Sequence, residues 1–146
     1  MKKNYSAFTE IFFMFLLFAS CSVIKGLPTN TSAGIFSLNG NWKLVSTNDN
    51  NSLTGSTIAV YPISGDGIIT TLQNNTYCVR ASDIIWKTIT SNNSGVFTIN
   101  NLVNSCNTSL NYKPATVTVV NNDEVRLSGT NVSGAQLVQT WKRVVN

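Results

Sequence analysis

From Asn41 onward the chain alternates apolar and polar residues, and small polar clusters interrupt the alternation about every ten residues. No window places apolar residues at the i, i+3, i+4, i+7 spacing of an amphipathic helix, so the pattern is that of strands. The predicted strands are Asn41–Ser46, Ser56–Pro62, Gly67–Gln73, Thr76–Ala81, Ile84–Ile89, Gly95–Ile99, Ala115–Val120, Glu124–Ser128 and Gln136–Val145. Between them fall Asn48-Asp49-Asn50-Asn51, Ser64-Gly65-Asp66-Gly67, Gln73-Asn74-Asn75, Ser91 to Gly95, Asn121-Asn122-Asp123 and Thr130 to Gly134. Asn, Asp and Gly accept the left-handed backbone angles of tight hairpins, which makes these clusters turns. Lys113-Pro114 predicts a strand boundary or an edge, because proline cannot donate to a ladder. The stretch from Asn100 to Asn111 reads as irregular.

Short sequential strands joined by short turns imply an all-β chain, an antiparallel up-and-down meander of about eight strands. Closing the meander into a barrel removes its exposed edges, with a β-sandwich as the alternative. Trp-Lys occurs three times, at Trp42-Lys43, Trp86-Lys87 and Trp141-Lys142. Alternation explains it, with each Trp turned inward and each Lys outward. A cation-binding or aromatic-cage role is the other reading. Three buried Trp, each covering on the order of 200 Å², would dominate the core.

The N-terminal region obeys a different rule. Lys2 and Lys3 precede the apolar run Ile11–Ala19, which is too short to cross a bilayer as a helix and has the flanks of a secretory signal. The run ends on Ala19-Ser20-Cys21, which resembles the lipobox of bacterial lipoproteins. The resemblance implies that Cys21 is diacylated and becomes the first mature residue. An ordinary signal peptide cut nearby is the alternative. The expected organisation is a signal peptide over 1–20, a lipidated cysteine with a flexible tether over 21–37, and a barrel domain over 38–146. Sixteen flexible residues reach roughly 20–25 Å, enough to hold a small domain just off a membrane. In some bacterial groups acidic residues directly after the lipidated cysteine resemble a surface-export signal, and Ser22-Val23-Ile24-Lys25 has none, so the expected location is a cell-envelope membrane on the periplasmic side.

With Cys21 carrying lipid, Cys78 and Cys106 remain as a pair in an oxidising compartment, and a disulfide is expected. Closing that loop would contribute about 3.6 kcal/mol by chain entropy. Two free thiols binding metal is the alternative, but the 146-residue chain contains no histidine to join them.

The same absence bears on catalysis, because an activated Ser or Cys needs a positioned base. Asp49, Asp66, Asp123 and Glu124 fall in predicted turns, and Asp83 stands alone ahead of Ile84-Ile85-Trp86, so no acid–base pair is in view. No metal, cofactor or enzymatic activity is expected. Beyond residue 20, eight Lys and Arg face five Asp and Glu, a net charge of +3 with no basic run. A nucleic-acid partner is not expected, since binding requires a concentrated basic stripe.

At Leu38-Asn39-Gly40-Asn41-Trp42-Lys43-Leu44-Val45 the chain resembles the lipocalin superfamily, whose first strand opens with Gly-x-Trp. The resemblance implies that Gly40 and Trp42 close one end of the barrel and that Arg143, in the terminal Gln139–Val144 strand, lies over Trp42. It also implies a pocket for a small hydrophobic molecule, with Ile58, Val60, Leu72, Tyr77, Trp86 and Phe97 as inward residues of the middle strands. An avidin-like barrel is a variant. A different expectation is a solid-cored envelope lipoprotein that acts on a protein partner, as an inhibitor or assembly factor.

Overall fold

The computed structural model describes residues 36–50, 53–61, 64–92, 95–106 and 109–145. The leader, Cys21 and most of the tether lie outside them. Eight strands follow one another: β1 (Gly40–Thr47), β2 (Thr57–Tyr61), β3 (Asp66–Thr71), β4 (Ile84–Ser91), β5 (Val96–Asn104), β6 (Asn111–Asn121), β7 (Glu124–Thr130) and β8 (Gln136–Val144). Each pairs antiparallel with the next, and β8 returns to pair with β1, so the meander closes as a barrel. Closure gives every strand a neighbour on each side and so removes the two edge strands of an open sheet.

Alternation decides which side chains enter. On β1, Trp42 and Leu44 are buried while Lys43 and Val45 face out. On β8, Leu137, Gln139 and Trp141 are buried in the same rhythm. All three tryptophans are at most 1% exposed. Lys43 and Lys142 are exposed, whereas half-buried Lys87 lays its Nζ 4.1 Å over the Tyr112 ring.

Two sequence expectations need correction, and a third holds in one of its two forms. Thr76–Ala81 is not a strand but part of a loop, 72–83. Asn74, Cys78 and Ser82 all take positive φ there, and the Asn75 side chain clamps Val79 through both its N–H and its carbonyl. A run with repeated left-handed residues cannot stay pleated. Asn100 to Asn111 is not irregular throughout, because β5 runs on to Asn104 and β6 begins at Asn111. Burial there is consecutive at Asn101, Leu102 and Val103, which hides the period of two. Pro114 lies inside β6 rather than at a boundary. It pairs with Asn100 of β5 but has no β7 partner, since that ladder starts at Ala115. A residue without an N–H thus sits where one side of the strand is open.

Candidate functional site: a barrel with two different ends

One end of the barrel carries the segment 36–39 and the β2–β3, β4–β5 and β6–β7 turns. Trp42 fills it, donating its indole N–H to the Leu38 carbonyl at 2.8 Å. Arg143, its cross-strand partner on β8, stacks with Cζ 4.2 Å from the indole centroid. Its guanidinium donates to three carbonyls, Nη1 to Asn39 at 2.7 Å, Nη2 to Ser37 at 2.9 Å and Nε to Asn122 at 2.9 Å. Burial pulls the Arg143 pKa down and Asp123 opposes the shift. Gly40 (φ 125°) leaves the space for this knot, because a Cβ there would stand 2.9 Å from Arg143 Nη1. Phe36 adds a ring 6.3 Å from Trp42 and 6.1 Å from Phe97. The last residues assigned from sequence to the tether, Phe36 and Ser37, therefore engage the barrel.

The other end is covered by loops. Ser56 ties the β1–β2 loop to 72–83, its Oγ accepting from Gln73 N and donating to Gln73 O. Tyr77 is 1% exposed and donates to Asp49 Oδ2 at 3.3 Å. Burial, and then the Asp49 carboxylate, push its phenol pKa well above the ordinary value. The Tyr77 carbonyl accepts from both the N–H and the hydroxyl of Ser105, and the sulfurs of Cys78 and Cys106 stand at disulfide distance, 1.97 Å. The loop 72–83 is thus a strap over the mouth, fixed to the β5–β6 loop. Beside the bridge lies a groove of about 300 Å³ lined by Cys78, Arg80, Asp83, Ser105 and Leu110.

Between the ends, the interior is apolar with a few polar groups. Trp86 of β4 meets Trp141 of β8 edge to face, centroids 5.1 Å apart. Those strands are four apart in a ring of eight, so this contact crosses the interior. Gly67 opposes Trp86, and a Cβ on it would stand 3.1 Å from Trp86 Cβ. Trp141 donates to Gln139 Oε1 at 3.1 Å. Trp86 Nε1 and Asn101 Nδ2 are buried without an acceptor. Trp86 and Asn101 are register partners on β4 and β5.

Of the residues predicted to line a pocket, Ile58, Val60, Trp86 and Phe97 are strand residues of the buried cluster. Tyr77 joins that cluster from the strap, not from a middle strand, and Leu72 packs partly buried at the strap's start. Sequence reasoning missed Asn101 and Gln139, because a polar residue beside apolar ones reads as outward-facing. It also missed Leu53 and Val79, which are buried outside any strand. Among the described residues, no three of His, Cys, Asp and Glu stand together as a metal site requires. No helix there is long and apolar enough to cross a membrane. No protein-family model, curated protein or solved structure matches the chain.

Proposed function

We propose that the chain is a bacterial lipoprotein, anchored through Cys21 to an envelope membrane on its periplasmic side, whose lipocalin-like barrel holds a small hydrophobic molecule without catalysing a reaction. The contrast between the two ends carries this reading. One end is fixed by a stacked guanidinium with three carbonyl bonds, while the other is closed only by loops pinned at a few points. A barrel with one sealed end and one loop-covered mouth is suited to admitting a guest. Its interior supplies apolar and aromatic walls, and an eight-stranded barrel has room for one small ligand at most. Trp86 and Trp141 lie where a guest would touch them. Titrating the full chain with fatty acids, retinoids and haem should change tryptophan fluorescence saturably for at least one class, and a flat response across the panel sinks the reading.

A second reading follows from the packing itself. All three tryptophans are fully buried, and Trp86 touches Trp141 across the interior, which suits a solid core whose outer surface meets a protein. Cross-linking in intact cells followed by recovery of the chain tests it. A reproducible protein partner together with a flat fluorescence titration would favour this reading over the first.

A further inference from the structure

Among the described residues, Trp86 and Asn101 are the buried side chains that leave a polar atom without a partner. Trp42 and Trp141 both place their indole N–H on an oxygen, at 2.8 and 3.1 Å. Trp86 Nε1 does not, and neither does Nδ2 of Asn101, its register partner on β5. Trp86 is 0% and Asn101 2% exposed, so solvent at the surface does not supply the missing acceptor. Buried amide and indole donors are ordinarily paired, and each one left open is destabilising. Directly opposed cross-strand residues share a face. Trp86 crosses the interior to Trp141, so Asn101 shares that inward face.

We infer that Trp86 Nε1 and Asn101 Nδ2 form a two-donor subsite on the inner wall that receives the uncharged carbonyl oxygen of an otherwise apolar guest. This rests on the binding function proposed above and narrows it to a chemical class, apolar ketones or esters. The donors are neutral, which selects the charge of the guest. Moving a carboxylate into such a site without a cation costs far more than moving a carbonyl. The next residue in the row is Lys113, the β6 partner of Asn101, but its Nζ donates to the Val132 carbonyl at 3.2 Å in the β7–β8 loop. The cation of the row is thus drawn toward the loop. Trp141 contributes an apolar ring beside the subsite, and its own N–H is already spent on Gln139.

Three probes of equal chain length separate the alternatives: 2-octanone, octane and octanoate, each titrated into the full chain by calorimetry. The ketone should bind about tenfold more tightly than the alkane, the factor expected when one or two buried donors gain a partner. It should also outbind octanoate. Trp86→Phe keeps the ring and removes the donor, and Asn101→Leu removes the amide. Either should shrink the ketone's advantage severalfold, and the two together should abolish it. Asn101→Leu should also leave the ligand-free melting temperature unchanged or raised, because an unpaired donor has been replaced by an apolar group of similar shape.

Ketone and alkane binding within twofold of each other would overturn the subsite while leaving the binding function standing, and would mean that a buried water occupies the donors. Tightest binding by octanoate would overturn the choice of an uncharged acceptor. A marked fall in melting temperature for ligand-free Asn101→Leu would make the pair structural. No binding by any of the three probes would overturn the proposed function and the subsite together.

Discussion

Arg143 is the cross-strand partner of Trp42, and its guanidinium carbon lies 4.2 Å from the indole centroid. The same group bonds the carbonyls of Ser37, Asn39 and Asn122, so it joins β8 to the chain ahead of β1 and to the β6–β7 turn. Arg143→Ala removes cation–π contacts with Trp42 and Phe36 and three charge-assisted bonds. The group is partly solvated, so the expected loss is about 2–4 kcal/mol, read as a lower urea midpoint. Arg143→Lys should recover only a minor part of it, because an ammonium cannot reproduce the planar fork that spans three carbonyls. Full recovery by Lys would show that charge alone holds this end.

Gly40 and Arg143 should be energetically coupled. Gly40→Ala introduces a Cβ at 2.9 Å from Nη1 and also forces an L side chain to φ 125°. Positive φ alone costs of order 1–3 kcal/mol, and the contact adds to it. In Arg143→Ala the contact is gone and the strain remains. The double variant should therefore be less destabilised than the sum of the two singles, by about 0.5–3 kcal/mol. Strict additivity in a denaturation cycle would mean that backbone strain is the whole effect at Gly40.

The barrel was legible in the sequence because its strands obey a period of two and its hairpins carry Asn, Asp and Gly where backbone reversal is needed. Ser64-Gly65 shows the device, with Gly65 at φ 74° ahead of β3. The strap was not legible, for a physical reason. Tyr77-Cys78-Val79 alternates buried and exposed as a strand would, yet Cys78 sits at φ 56° and the Asn75 side chain supplies the bonds that a neighbouring strand would have supplied. Asn101 was hidden in another way. It continues the inward series Phe97, Ile99, Asn101 on β5, but buried Leu102 and Val103 follow it directly and break the period of two that would have carried the strand past Ile99.

The strap should loosen in alkali. The folded protein keeps the Tyr77 phenol protonated above its ordinary pKa, chiefly by burial and then by the Asp49 carboxylate. A group raised on folding contributes fully below its unfolded pKa and loses that contribution as pH rises beyond it. For a tyrosine the loss begins near pH 10, at up to about 1.4 kcal/mol per pH unit. Urea midpoints measured from pH 8 to 11 should fall at the upper end, and Tyr77→Phe should fall less steeply. Equal slopes in the two proteins would show that Tyr77 does not govern the alkaline response.

Reduction of the Cys78–Cys106 pair should act first on the strap. The bridge spans 28 residues in sequence, and losing it should cost about 2–4 kcal/mol of global stability by chain entropy. Before global unfolding, the Ser105 amide, bonded to the Tyr77 carbonyl, should exchange faster with solvent. The Trp42 end, with no covalent link to the strap, should keep its protection. Uniform loss of protection around the barrel would contradict a strap fixed locally at the mouth.

Cys21 carries the proposed anchor, and its replacement separates address from fold. Two acyl chains hold a protein stably on a bilayer where one does not, since each buried methylene contributes about 0.8 kcal/mol. The barrel closes on itself within residues 40–144, and the Phe36 ring packs on Trp42 and Phe97. Cys21→Ala should therefore move the protein from the membrane pellet to the soluble fraction, while melting temperature and tryptophan emission of the barrel stay as they were. Membrane attachment that survives the substitution would mean that something other than an acylated Cys21 holds the chain there.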